Sequence, residues 1–311
     1  MLEIETRRLG KTELRPKALG LGCGFIGNPS TTSEQEAIAT IRHAIEHGVN
    51  FIDTAAGYGK GFCEHRVGLA LENGWREKVY LQTKVGSHPN WWRDYSEKAS
   101  RWTLENSFRQ LKTDYIDSVL IHEGSPDMEA PFRTGACLDV LLEWKEKGRI
   151  GHVGIGVREH EYHKRAIETG CMEIVLSYLD YTLLAQSAAE TIIPWARSQD
   201  IGLILAGVLA TGLLAGMEPD SNLEIKESPG REPRSRRMWE WCRERGVNIR
   251  DLAMQFVLAA PLEGNGIVLV GPANREEFDG VYESAISEVS EVHWHDFEAE
   301  FGIGLENTHH D

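Results

Sequence analysis

Positive charge is scarce in this 311-residue chain. Lysine and arginine number 33 against 48 aspartate and glutamate, a formal net charge of -15. Such a surface repels a phosphate backbone, and an anionic bilayer for the same reason, so neither nucleic acid nor a membrane face is an expected partner. One local positive site is still compatible with an anionic cofactor. Long apolar runs are missing too: nothing approaches the roughly eighteen residues needed to span a bilayer. The opening MLEIETRRLGKTEL has no apolar core of the kind a secretory signal carries. Cysteine is sparse. Cys23, Cys63, Cys137, Cys171 and Cys242 are odd in number and show no CxxC spacing. They read as reduced thiols and not as a disulfide framework or zinc set, which gives a cytoplasmic expectation. The pairs His293/His295 and His309/His310 have metal-like spacing but no matching carboxylate or cysteine cluster, so they read as tail residues and no metal is implied.

What is present is alternation. Short apolar, often β-branched runs predict strands at Ala18–Gly22, Asn50–Asp53, Val79–Lys84, Ile116–His122, Ile150–Gly156, Ile174–Ser177, Gly202–Ala206 and Gly266–Val270. Between them, amphipathic stretches predict helices at Ser33–His47, Glu64–Glu72, Ser96–Leu111, Thr134–Lys147, His160–Glu168, Ala188–Ser198, Ile249–Ala259 and Asn274–Ser287. Eight strands each followed by a helix point to an α/β fold, a (β/α)8 TIM barrel forming one domain over residues 1–311. The alternative is an open doubly wound sheet. That fold usually begins with a glycine-rich turn leading into a helix, and no helix starts after Gly20-Leu21-Gly22-Cys23-Gly24. Long connections at about 85–95, 123–133 and 216–238 all follow strands, which in a barrel places them on the C-terminal face where active sites are built.

Four ionisable residues fall at or just past consecutive strand ends: Asp53 in FIDT, Tyr58 in AGYG, Lys84 in LQTK and His122 in VLIH. Neighbouring parallel strands lie about 5 Å apart, so side chains at one end of three of them can converge. The combination suits hydride transfer coupled to proton transfer. A carbonyl that receives hydride develops alkoxide character and needs an acid. A free phenol, with a pKa near ~10, is a weak one. A lysine cation lowers that pKa, an aspartate anchors the lysine, and a histidine orients the substrate oxygen. Singly, each residue has a plainer role: a turn cap, a rim aromatic, a solvated cation, a structural imidazole. Their joint register at one face favours the functional reading.

The segments FIDTAAGYG, YLQTKVG and DYIDSVLIHE, with RRLGKTEL and ALGLGCGFIG before them, closely resemble the signatures of the aldo-keto reductases. The resemblance runs from about Arg7 to about Phe278. It implies a (β/α)8 barrel binding NAD(H) or NADP(H) in extended form, and a catalytic tetrad of Asp53, Tyr58, Lys84 and His122 with Tyr58 as general acid/base. EIVLSYLDYTLL and the stretch from Ala206 to Leu214 are similar to the aldose 1-dehydrogenase and L-galactose dehydrogenase group, whose members oxidise a sugar at C1. The implied cofactor contacts are Gly22, Cys23, Gly24 and Asp53, then Arg158 and Tyr178, then Gly207, Val208, Leu209 and Gly212. Gly271, Pro272, Ala273, Asn274 and Glu277 complete the set. Arg158-Glu159 replace the family's Ser-Asn pair, Tyr178 its glutamine, and Ala206 the aromatic that often stacks on nicotinamide. Family members that prefer NADP(H) often carry a cation or hydroxyl where Ala273 stands. Glu276 and Glu277 would also repel a 2′-phosphate, so NAD(H) is the expected dinucleotide. Arg275, or the cluster Arg234/Arg236/Arg237, is the feature able to reverse that preference.

Phe25, Tyr58, Trp91, Trp92 and His122 are the expected substrate contacts, with Trp239, Trp241 and Trp294 as the opposite wall. The expected substrate is a small sugar or another carbonyl compound. A reductase of aldehydes or ketones uses the same residues in reverse. A regulatory barrel that binds nicotinamide without turnover is the non-enzymatic alternative. A metal-dependent sugar isomerase or hydrolase is disfavoured, because the strand ends offer one histidine and a lysine.

Overall fold

Inward and outward positions of the strands feed two separate hydrophobic clusters. Phe51, Leu120, Ile174, Leu176, Ile204, Ile267 and Leu269 fill a small inner cluster. The alternate residues, such as Ile52, Leu81, Val119, Ile121, Val153 and Val175, join a much larger outer one with the helices. A strand apolar on both sides and covered on both sides is the signature of a parallel barrel.

The computed structural model describes residues 4–220 and 231–305. Its strands are β1 (Leu19–Gly22), β2 (Phe51–Asp53), β3 (Tyr80–Val85), β4 (Ile116–His122), β5 (Ile150–Gly156), β6 (Ile174–Tyr178), β7 (Gly202–Ala206) and β8 (Gly266–Val270). All neighbours are parallel, and β1 pairs with both β2 and β8, which closes the barrel. The helices are α1 (Glu34–Glu46), α2 (Cys63–Ala70), α3 (Glu97–Leu111), α4 (Cys137–Glu146), α5 (His160–Glu168), α6 (Ile192–Ser198), α7 (Arg231–Glu244), α8 (Ile249–Leu258), α9 (Arg275–Ala285) and α10 (Glu291–Phe301). None of the described helices is long and apolar enough to cross a membrane.

Ser33 and Ser96 cap α1 and α3 through their hydroxyls. An N-terminal hairpin, bridged antiparallel at Thr6 and Lys17, carries Leu9 and Leu14 into the inner cluster and seals the end of the barrel away from the C-terminal strand ends.

Two expectations need correction. The long connection expected over 216–238 ends in α7, which already begins at Arg231; residues 221–230 lie outside the described residues. The helix hides in sequence because REPRSRRMWEWCRE is strongly polar and buries only Ser235, Met238, Trp241 and Cys242. The chain after residue 287 is likewise not a plain tail. Ser290 caps α10, which contains His293 and His295 and packs through Trp294 and Phe297. His309 and His310 lie outside the described residues.

Candidate active site

Asp53, Lys84 and His122 share inward parity with the inner-cluster residues of their strands: Phe51 is two before Asp53, and Leu120 is two before His122. Side chains alternate faces along a strand, so each of the three points into the barrel at its C-terminal end. Register aligns Asp53 with Gln82 and Lys84 with Leu120.

Lys84 is the hub. Its Nζ donates to Asp53 Oδ1 at 2.6 Å and Oδ2 at 2.7 Å, to the Thr54 carbonyl at 2.7 Å and to the Tyr58 hydroxyl at 3.3 Å. The ammonium also lies 4.7 Å from the centre of the Tyr58 ring. His122 meets Tyr58 edge-on, ring centres 5.7 Å apart. The four expected residues therefore form one cluster.

Tyr58 is carried by a loop that two glycines press into place. A Cβ on Gly57 would fall 2.3 Å from the Ser87 carbonyl oxygen. One on Gly59, whose φ is +58°, would fall 1.9 Å from that of Gly27. Only glycine permits both approaches.

The electrostatics separate the roles. Burial pushes the Tyr58 phenol up to about 12, against the downward pull of Lys84, and Asp53 adds to the rise. The lysine alone was expected to lower this pKa; it does pull that way, but burial outweighs it. Burial also works against the Lys84 ammonium, yet the charge of Asp53, assisted by Tyr58, raises it above the usual lysine range. His122 is held well below the ordinary imidazole value by burial and by Lys84, so its ring is neutral at neutral pH. A neutral imidazole presents one N–H donor, and His122 Nδ1 is buried with no hydrogen-bond partner among the described residues.

A polar layer lies beneath this cluster. Gln82 Nε2 donates to Asp53 Oδ1 at 2.7 Å, and Ser118 Oγ donates to Gln82 Oε1 at 2.9 Å. Tyr95 donates from its hydroxyl to the His122 carbonyl at 2.6 Å, which fixes the end of β4. The sequence reading missed these three. Parity gives the signal for Gln82 and Ser118, two before Lys84 and four before His122. Nothing local marks Tyr95.

Behind β3, Glu64 of α2 accepts from Thr83 Oγ1 at 2.6 Å. Burial lifts its pKa to about 7 from 4.5, while Thr83, Ser107 and the charge of Lys84 oppose the rise. A raised carboxyl pKa means stability present below the unfolded value and lost as pH climbs through the folded one. Glu64→Gln removes this dependence. The variant is expected to gain on wild type by up to about 3 kcal/mol between pH 5 and pH 8, read from urea midpoints at the two pH values.

The other expected contacts separate into groups. Arg158 and Tyr178 line, with His122, Gly156 and Asp180, a cavity of about 450 Å³ next to the tetrad. Gly24 sits against the Tyr58 ring, since a Cβ there would lie 3.8 Å from Cε2. Cys23 is buried in the outer cluster, so its thiol faces away from the barrel interior; its amide donates to the Asp53 carbonyl at 2.8 Å. Val208 is buried, and Gly207 and Gly212 both take positive φ around the short 3-10 turn that follows Leu209.

After β8, Asn274 caps α9 by accepting from the Glu277 amide at 2.9 Å, while Glu277 Oε2 accepts from the Ala273 amide at 2.7 Å. Gly271 and Pro272 lead into this turn, and Arg275 pairs with Glu36 at 3.1 Å. The arginine cluster of α7 is engaged elsewhere: Arg236 with Glu218 and Glu232, Arg237 with Glu300, and Arg234 with the Phe301 carbonyl.

The aromatics are the least site-directed. Phe25 is exposed and lies over Gly271, beside the loop after β8. Trp91 packs on Trp102 of α3, ring centres 6.1 Å apart, and Trp92 is exposed with Arg93 over its ring. Trp241 and Trp294 pack on Phe297, and Trp239 donates to the Gly216 carbonyl. These three join the helical layer, so the expected opposite wall is not built from them.

The sequence profile of the Aldo/keto reductase family matches residues 18–299. L-Galactose dehydrogenase from Arabidopsis thaliana is 30% identical over 268 residues, covering 83% of this chain and 82% of that protein. D-threo-Aldose 1-dehydrogenase from a Pseudomonas species is 27% identical, covering 81% and 84%. Among solved structures, an aldo-keto reductase from Bacillus halodurans in its holo form superposes with a TM-score of 0.78 at 22% identity, over 98% of this chain and 99% of that one. A glycerol dehydrogenase from Gluconobacter oxydans gives 0.75 at 22% identity, over 96% and 97%.

Proposed function

The chain belongs to the aldo/keto reductase family, and on that premise we propose that it is a nicotinamide-dependent dehydrogenase acting at C1 of an aldose or a related alcohol, with Tyr58 as general acid/base. The observation that carries the reading is Lys84 Nζ held between the Asp53 carboxylate and the Tyr58 hydroxyl, with the His122 ring set against the phenol. A bound nicotinamide would accept or supply the hydride. Tyr58 exchanges the proton with the substrate oxygen, Lys84 stabilises the phenolate, Asp53 keeps the ammonium in place, and neutral His122 donates toward that oxygen. Two relatives named as sugar dehydrogenases support a sugar substrate.

The residues fit a dinucleotide. The cavity lined by Arg158 and Tyr178 adjoins the tetrad, and the loop from Gly271 to Glu277 opens a helix N-terminus, where anionic groups are favoured. NAD+ is the proposed oxidant. Ala273 offers no side-chain donor, Glu277 already occupies the Ala273 amide, and Arg275 is paired with Glu36. A 2′-phosphate there lacks a charge-assisted hydrogen bond. NAD+ should therefore exceed NADP+ in kcat/KM by roughly ten- to a hundredfold, the worth of one such contact. The test is a panel of aldoses and alcohols assayed with both dinucleotides. Preference for NADP+ would overturn the cofactor assignment. No turnover of any sugar or alcohol would overturn the sugar dehydrogenase reading.

A second reading, reduction of aldehydes or ketones, is favoured by one observation. A phenol with a pKa of about 12 is protonated at neutral pH, the state a proton donor needs. Assaying carbonyl compounds with NADH and NADPH separates the two.

A further inference from the structure

On the outer helical layer, His43 and His47 lie one turn apart on α1 and face Asp279 of α9. At i and i+4 two side chains occupy the same helix face, and here the imidazole centres are 4.2 Å apart. His43 Nε2 lies 2.5 Å from Asp279 Oδ1. One ligand atom from each of the three residues falls within 4.8 Å of the others.

The His47 ring is held in a state suited to a metal, whereas His43 Nε2 faces the Asp279 carboxylate and gives up its proton when an ion takes that place. His47 Nδ1 is 2.8 Å from the His43 carbonyl, an acceptor only, so Nδ1 carries the proton and Nε2 keeps its lone pair. A ligating histidine usually has this arrangement, its second nitrogen tied to a backbone carbonyl. Phe278 stands edge-on to both rings, at 5.7 and 5.8 Å, and Tyr282 edge-on to His47 at 5.3 Å. His43 and Asp279 retain 26% and 47% side-chain exposure, which leaves a path from solvent. The net charge of -15 attracts cations.

We propose that His43, His47 and Asp279 bind a divalent transition metal of the zinc class, with water completing a tetrahedral shell. Metal–nitrogen and metal–oxygen bonds near ~2.1 Å place ligand atoms roughly 3.4 Å apart, so the His43–Asp279 contact opens by less than an ångström, and the other separations already lie within 4.8 Å. Two nitrogens and one carboxylate oxygen suit zinc, cobalt or copper better than magnesium or calcium, which prefer all-oxygen shells. The ion would join the helix after β1 to the helix after β8, across the seam that closes the barrel. α9 begins at the loop proposed to receive the dinucleotide, so the same ion would stiffen that loop's support.

Calorimetric titration of the full chain with Zn2+ tests this. Wild type is expected to take one equivalent, and its thermal midpoint to rise by roughly 5 °C at a hundredfold excess over Kd. His47→Ala and Asp279→Asn should each lose at least the ten- to hundredfold in affinity that removal of an outer-shell partner alone costs, together with the thermal shift. Wild type that takes up neither Zn2+ nor Co2+ would overturn the proposal. So would unchanged stoichiometry and affinity in His43→Ala/His47→Ala, which would move the binding to other histidines. The result does not depend on the dehydrogenase reading, because binding and melting are measured without substrate.

Discussion

Tyr58→Phe should lower kcat by about 10²- to 10⁴-fold, the usual contribution of a positioned proton donor, while leaving the melting temperature and dinucleotide affinity close to wild type. The variant removes one oxygen whose single hydrogen bond among the described residues is a 3.3 Å contact from Lys84. Lys84 keeps three shorter contacts, two to Asp53 and one to the Thr54 carbonyl, so the cluster stays satisfied. The pH profile supplies an independent readout. Oxidation needs the phenolate, and the phenol titrates at about 12. In wild type kcat/KM for oxidation should therefore climb with pH through the neutral and alkaline range, while reduction stays flat until pH nears that value. Retention of more than about a tenth of wild-type turnover in Tyr58→Phe would remove the tyrosine from the chemistry.

Lys84→Met should damage both stability and activity. Lys84 and Asp53 are almost wholly buried, and among the described residues the carboxylate's other side-chain donor is Gln82. Removing one partner of a buried pair leaves an uncompensated charge, at a cost of about 3–5 kcal/mol, whereas replacing both is often near neutral. Asp53→Asn/Lys84→Met should therefore recover most of the urea midpoint that Lys84→Met loses, while activity stays absent in both. A double variant as unstable as the single one would show that packing, not charge, dominates at this site. The sign with pH is also fixed. The folded pKa of Lys84 lies above its unfolded value. The pair's contribution is then complete below the unfolded lysine pKa, near ~10.4, and fades as pH rises through the folded value. Alkaline titration, not acid, reads this interaction: wild type should lose stability above about pH 10 along a steeper slope than the double variant, in which Tyr58 still titrates but Lys84 does not.

Much of this architecture was legible in the residues. Runs such as Ile116–His122 and Ile150–Gly156 are mostly apolar or small, and their predicted and observed limits coincide. Three strand-end residues could be set on one face because parity along a strand is strict. The misses have a common physical character. α7 presents a narrow buried stripe inside a charged sequence, and α10 has only Trp294 and Phe297 buried. The partners beneath and beside the tetrad were missed because a buried polar contact depends on where two distant segments meet. Tyr95 and His122 are 27 positions apart. Trp91 shows the opposite failure: an aromatic in a mouth loop looked ready for a ligand, and it spends its face on Trp102.

The inner cluster, with Leu9 and Leu14 packed into it from the hairpin, fills the barrel and leaves it open at one end only. Every molecule that reaches the Tyr58 hydroxyl must come and go through a single rim. Whichever of two reactants lies deeper has to arrive first and depart last.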